Sequence, residues 1–131
     1  MNEVAARATM RLGDVKRSQG HFDEAAKRYG EVLQVKEWKG ELWPEALYSI
    51  GECLREQGRE KEAYAYYQRI YVLYPHYKEW TAKAYIRCAE ISEKLGLKED
   101  AVRTLGEMLA NQSLRSTSEY LSAEKRLKEL Q

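Results

Sequence analysis

The chain repeats itself at a step of 38 residues. Gly20, Gly58 and Gly96 stand at that interval, as do Ala25, Ala63 and Ala101. Tyr29, Tyr67 and Leu105 follow the same step, then Val32, Ile70 and Met108. Upstream, Leu12, Ile50 and Cys88 align, and beside them Gly13, Gly51 and Ala89. A unit of this size cannot bury its apolar face alone, and a fixed period of roughly 20–50 residues therefore marks a stacked array in which neighbours share one core. Such an array offers extended surface rather than an enclosed cleft. The function class that follows is binding rather than catalysis.

Each unit reads as two helices. In repeat 1 the first helix carries Val4, Ala8, Leu12 and Val15, a stripe of helical period taken here as its core face. It stops at Gly20, and the second helix starts near Phe22–Asp23 with Ala25, Ala26, Tyr29, Val32, Leu33 and Val35. Repeat 2 opens at Pro44, suited to a first helical turn, carries Leu47, Ile50, Cys53 and Leu54, and turns at Gly58. Its second helix runs over about 60–74, before Pro75. Repeat 3 begins near Tyr77, carries Trp80, Ala84, Tyr85, Cys88 and Ile91, turns at Gly96 and continues over about 98–110. Asn111, Gln112 and Ser113 break the pattern. A last helix holds Tyr120, Leu121, Leu127 and Leu130, with Ser116 and Glu119 in the S-x-x-E arrangement of a capping box.

The expected organisation is one domain over 1–131. Repeat 1 spans about 2–38, repeat 2 about 42–75, repeat 3 about 77–111, and a capping helix about 117–130. Lys36–Trp43 is expected to end a helix and form a tight loop. The charged side of the last helix (Glu124, Lys125, Lys128, Glu129) suits the polar outer face that a terminal unit needs. The first repeat opens at the N-terminus with no capping segment, as expected of a piece of a longer protein.

Composition excludes several classes. Net charge is +1, and basic residues are interspersed with acids, so no nucleic-acid partner is expected. No apolar run approaches the roughly 18–20 residues needed to cross a bilayer, so direct membrane insertion is not expected. The N-terminus lacks the apolar run of a signal peptide, which leaves periplasm, cell envelope and cytoplasm open. Cys53 and Cys88 read as small packing residues. His21 and His76 sit at turns without partners at ligand spacing, and a metal site needs about three or four ligands. The glycines are isolated, so no phosphate loop is present. No catalytic residue, metal or cofactor is expected, and the chain reads as a non-enzyme.

These residues resemble the tetratricopeptide repeat, whose pattern runs large residue, Leu-Gly, large residue, Ala-x-x-x-aromatic, Pro. Repeat 2 matches most fully through Leu47, Ile50-Gly51, Leu54, Ala63, Tyr67 and Pro75. Repeat 1 supplies Leu12-Gly13, Ala25 and Tyr29, with Lys16 at a large position. Repeat 3 supplies Tyr85, Ala89, Ala101 and Leu105. The resemblance implies an all-α, right-handed superhelix of three helix–turn–helix repeats plus a C-terminal capping helix. The period of 38 rather than 34, with Tyr74-Pro75 at a joint, also resembles a bacterial cell-envelope subgroup. That subgroup includes the Tol–Pal system coordinator and the outer-membrane-assembly lipoprotein. The string from Ser122 to Leu127 is similar to the coordinator's closing helix.

In this family the first helix of each pair lines a concave groove. The resemblance places Arg7, Met10, Asp14 and Arg17 there from repeat 1, and Glu45, Tyr48, Glu52 and Arg55 from repeat 2. Lys83, Ile86, Glu90 and Glu93 follow from repeat 3. Met10, Tyr48 and Ile86 would anchor a ligand, and the surrounding charges would orient it. The alternative is a solvated face whose charges pair with one another. Lys83 and Arg87, four apart, would suit a carboxylate clamp, but Asp14 and Ser49 stand where its asparagines belong. The expected function is a non-catalytic adaptor for a partner protein, peptide or helix. A homo-oligomerising structural module, or a recruiting domain of a larger enzyme, stays open as the alternative.

Overall fold

A computed structural model describes residues 3–131, and over these the chain is helical, with no strand. The helices are α1 (Glu3–Ser18), α2 (Phe22–Val32), α3 (Leu42–Glu56), α4 (Glu60–Leu73), α5 (Lys78–Lys94), α6 (Lys98–Ala110) and α7 (Ser118–Leu130). Short 3-10 turns occupy Lys36–Trp38 and Gln112–Ser116. The expected helix–turn–helix alternation is therefore present, but the expected Lys36–Trp43 loop is shifted: α2 has already ended at Val32, Lys36–Trp38 forms the 3-10 turn, and Leu42 and Trp43 open α3. The chain divides into two compact units, Met1–Tyr66 and Tyr67–Gln131, the division falling inside α4.

The period appears first in the turns. Gly20, Gly58 and Gly96 adopt φ of +79°, +77° and +77°. After each of them the chain closes in the same way. His21 N–H donates to Lys16 O at 2.9 Å, Arg59 to Leu54 at 2.9 Å, and Leu97 to Ser92 at 2.8 Å. The glycine N–H groups donate three residues back. This is the Schellman closure, which satisfies carbonyls that a helix end leaves bare and needs a left-handed residue at its pivot.

In the first unit α2 packs on both α1 and α3. Ala6, Met10, Ala25, Tyr29 and Val32 are buried. Gly13 is where α1 meets α2: a Cβ there would lie 2.5 Å from the Tyr29 ring. The Tyr29 hydroxyl donates to Asp14 Oδ1 at 2.6 Å, which satisfies the polar end of a side chain that is otherwise fully buried. Trp43 ties α3 to α2, its indole Nε1 donating to Val32 O at 3.0 Å.

The first helix corrects the sequence reading. Val4, Leu12 and Val15, expected in the core, are 76%, 52% and 51% exposed, and Ala8 is exposed too. The buried face is Ala6, Met10 and Gly13. In repeat 2 the expected core residues Leu47, Ile50, Cys53 and Leu54 are buried, and so is Ala46. Helix α1 is apolar on two opposite sides, and only one of them is covered.

In the second unit α5, α6 and α7 pack together around Ala82, Ala89, Leu105, Met108, Leu114 and Ala123. The Tyr120 hydroxyl donates to Leu109 O at 2.8 Å, joining α7 to α6. Tyr71 stacks on Tyr85, with ring centroids 4.0 Å apart and planes within 10°. Along α4 Tyr67 is fully buried, while Tyr64 and Tyr71 are half-buried, as is Tyr74 just past its end. The expected capping box is absent. Thr117 rather than Ser116 is the N-cap of α7 and makes no side-chain cap bond; its hydroxyl donates to Leu114 O at 2.7 Å.

Gly106, inside α6, has nothing within 4 Å of a built Cβ. It costs helix entropy and fills no close approach. Gly106→Ala should therefore stabilise the protein by about 0.5–1 kcal/mol, read as a higher urea midpoint at unchanged slope.

Candidate functional site

The residues expected to form a binding face fall in both units. In the first unit the charges pair with one another. Arg7 Nη1 meets Glu45 Oε2 at 2.7 Å, linking α1 to α3. Arg17 Nε meets Glu56 Oε1 at 3.1 Å across the same two helices. Arg55 Nη2 holds Glu52 Oε2 at 2.8 Å. Burial of Arg17 opposes its charge, yet the neighbouring Tyr29, Glu56 and Glu52 leave its pKa raised. Asp14 accepts the Tyr29 bond described above.

Two expectations change here. Met10, expected as an exposed anchor, is 1% exposed and belongs to the core. Glu52, expected to orient a ligand, is 6% exposed and clasped by Arg55. Each is turned inward, where Met10 packs and Glu52 is neutralised. Tyr48 is half-buried on α3.

A groove of about 1140 Å³ lies along the outer edge of α1. Val4, Arg7, Ala8 and Arg11 line one side of it, and Trp38, Lys39, Glu41 and Leu42 the other. Lys39 Nζ sits 5.6 Å from the centroid of the Trp43 ring, a cation–π contact. The indole Nε1 of Trp38 is buried without an acceptor among the described residues.

In the second unit three of the expected residues come together. Ile86, Glu90 and Glu93 line a groove of about 500 Å³ between α5 and α7. Ala89 and Leu105 contribute its apolar surface, and Ser122, Lys125, Arg126 and Glu129 its α7 side. Arg126 grips Glu93 from across the groove and meets Glu129 Oε1 at 3.2 Å. The Arg126 hydrogen bond holds the Glu93 carboxyl below the usual carboxylate range, and the two acids raise the Arg126 pKa. Glu90 pairs with Arg87 at 3.1 Å. Lys83 stands apart from the groove lining, 3.4 Å from Glu119. The two would-be clamp cations, Lys83 and Arg87, therefore both face carboxylates of this chain.

The contribution of α7 was missed in the sequence. Lys125 and Glu129 were read as the outer face of a cap, yet they line the groove. The signal available was Ala123: a small residue marks a close helix crossing, which turns the next turn of α7 toward α5. Among the described residues Lys125 makes no ion pair, so it is the cation of this groove that remains open to a ligand.

The cysteines and histidines carry no chemistry of this kind. Cys53 and Cys88 are free and buried, and burial pushes their thiols up to about 11 and about 12. No cluster of three or more metal-ligating side chains occurs among the described residues. No helix among them is long and apolar enough to cross a membrane.

The family model described as tetratricopeptide repeat matches residues 5–78. No curated protein matches the sequence. Among solved structures, the chain is similar to PcrH from Pseudomonas aeruginosa at a TM-score of 0.77 and 16% identity, covering 99% of this chain and 94% of that one. The Yersinia enterocolitica type III secretion chaperone SycD, in complex with a peptide of the translocator YopD, gives a TM-score of 0.71 at 17% identity, covering 98% and 93%. The first TPR of Spaghetti (RPAP3), bound to the HSP90 peptide SRMEEVD, gives 0.71 at 18% identity, covering 99% and 95%. At these identities the likeness is one of fold, the helical solenoid. The finer resemblance to the Tol–Pal coordinator and the outer-membrane-assembly lipoprotein has no support in these comparisons.

Proposed function

From the premise that the chain belongs to the tetratricopeptide-repeat family, we propose that it is a non-catalytic adaptor that binds a peptide segment of a partner protein. The observation that carries the reading is the α5–α7 groove. It combines apolar contact surface from Ile86, Ala89 and Leu105 with an ion-pair wall from Glu93 and Arg126. An apolar side chain of the peptide enters beside Ile86, where burial stabilises it by about 25 cal/mol per Å² of apolar surface removed from water. An acidic side chain pairs with Lys125. The walls are already paired, so they add register and exclusion of wrong charges more than affinity.

The structural neighbours support this reading in kind. PcrH has been solved with the chaperone binding region of PopD, SycD with a YopD peptide, and the RPAP3 repeat with an HSP90 peptide. The partner of this chain is proposed on its own groove: a short segment with an apolar residue near an acid.

A fluorescent peptide array varying both features tests it. Selected peptides should require an apolar residue and an acid. Lys125→Glu should weaken them about tenfold, roughly 1.4 kcal/mol, and shift selection toward basic residues. Ile86→Ser should weaken them as well, and Leu121→Asp, at a residue 71% exposed and outside the groove lining, should not. Binding that ignores Lys125 and Ile86 would sink the assignment of this groove.

A further inference from the structure

The uncovered side of α1 lies opposite the core. At ~100° per residue, Val4, Ala8, Leu12 and Val15 centre roughly 170° round the helix from Ala6, Met10 and Gly13. A helix apolar on both sides is built to be sandwiched. The repeat shows what such a stripe does elsewhere in the chain. One period on, Ala46, Ile50 and Cys53 of α3 are buried, and α2 is packed on α3. Two periods on, Ala84, Cys88 and Ile91 of α5 are buried too. Each later repeat keeps these positions out of water. In α1 the same positions hold three large apolar side chains in water, which is more than scattered surface residues account for.

Charge selects among occupants. Arg7 and Arg11 flank the stripe on one side and Lys16 on the other, by the same helical geometry. Arg7 and Lys16 are partly satisfied by Glu45 and Glu24, at 2.7 and 3.0 Å. Arg11 has no ion pair among the described residues. Glu37 and Glu41 stand across the outer groove on the following loop, so the basic character belongs to the flanks of the stripe itself. A second copy laid on this face would set like charges together. Antiparallel pairing opposes Arg7 and Arg11 to their own equivalents, and parallel pairing opposes them to Lys16. A bilayer surface fits poorly as well, because the stripe has no aromatic side chain and its bulk is three aliphatic groups on a fixed helix.

We propose that the outer face of α1 is a docking surface for an amphipathic helix whose apolar stripe is flanked by acidic residues. Its apolar side chains cover Val4, Leu12 and Val15, with close approach at Ala8. Its acids reach Arg11 and, less strongly, Lys16. This surface is separate from the α5–α7 groove, so the two readings stand or fall independently.

The probe is a designed 18-residue helical peptide with a Leu/Ala stripe and glutamate flanks, compared by fluorescence anisotropy with a counterpart carrying lysine flanks. The glutamate peptide should bind at least tenfold tighter. Leu12→Asp should abolish binding with an unchanged melting temperature, since Leu12 is 52% exposed. Arg11→Glu, at an exposed residue, should move the preference toward the lysine peptide. If Leu12→Asp melts lower, Arg11→Glu carries the test alone. Equal affinity for both peptides overturns the proposal. So does self-association of the wild type by sedimentation that Leu12→Asp removes, which would make a second copy the occupant. Binding to phosphatidylglycerol vesicles in place of either peptide overturns it too.

Discussion

Gly13→Leu should disrupt the first unit's packing, at a cost of about 3 kcal/mol, the upper end of what overpacking typically costs. A Cβ at this position already comes within 2.5, 2.8 and 2.9 Å of three atoms of the Tyr29 ring. Tyr29 cannot easily yield: it is fully buried, and its hydroxyl is held by Asp14 at 2.6 Å. Leucine adds three more carbons along the same line. Relief would require moving α2 away from α1, which strips contacts from Met10 and Val32. Gly13→Ala brings the same first clash, offset by about 1 kcal/mol of regained helix propensity, and should land between wild type and the leucine variant. Urea unfolding followed by circular dichroism gives the order. Placing Gly13→Ala in a Tyr29→Leu background supplies the coupling, since neighbours in direct contact do not add. The alanine penalty should shrink there. A Gly13→Leu protein with a wild-type midpoint would mean the helices do not cross at this residue.

The second large effect is alkaline. Burial raises the Cys53 thiol from 9.0 to about 11 and the Cys88 thiol from 9.0 to about 12. Tyr29 is raised as well, by burial first and by its bond to Asp14 second. In each case the folded state keeps a proton that the unfolded chain releases. The folded protein then binds more protons than the unfolded one above pH 9, and stability falls as pH rises. The contribution is fully present below pH 9 and is lost through the window from 9 to about 12. Each pH unit costs about 1.4 kcal/mol per group, so the sum is on the order of several kcal/mol by pH 12. Urea midpoints under reductant at pH 8 and pH 11 should drop steeply for the wild type and less for Cys88→Ala. Parallel drops in the two proteins would show that the thiol is not the titrating group. Below pH 8 these three groups should leave the midpoint flat.

Much of the fold was legible because the repeat constrains it three times over. The glycines at 20, 58 and 96 announce a left-handed pivot, and the structure closes each helix end there in the same way. The small residues at 13 and 25 announce a close crossing, and Tyr29 fills it. The candidate site was legible in part. The family resemblance set Ile86, Glu90 and Glu93 together on α5, and these three line one groove. Its opposite wall was missed, because Lys125 and Arg126 on α7 carry no period that separates a groove wall from a solvated cap, and Ala123 marks a close crossing without saying which helix it meets.

Met10 and Leu12 mark the boundary between the two kinds of knowledge. Both are large and apolar on one helix; periodicity put Leu12 in the core stripe, and the family resemblance put Met10 in the groove. Periodicity by itself determined an apolar stripe along α1, that turns recur every 38 residues, and where small side chains admit a neighbouring helix. Which face of α1 is buried was decided only by tertiary packing, since burial belongs to the pair of surfaces that meet. The α2 surface, with Tyr29 seated over Gly13, claims Met10. Leu12, about half a turn away on the far side, is left for a surface that the chain does not supply among its described residues.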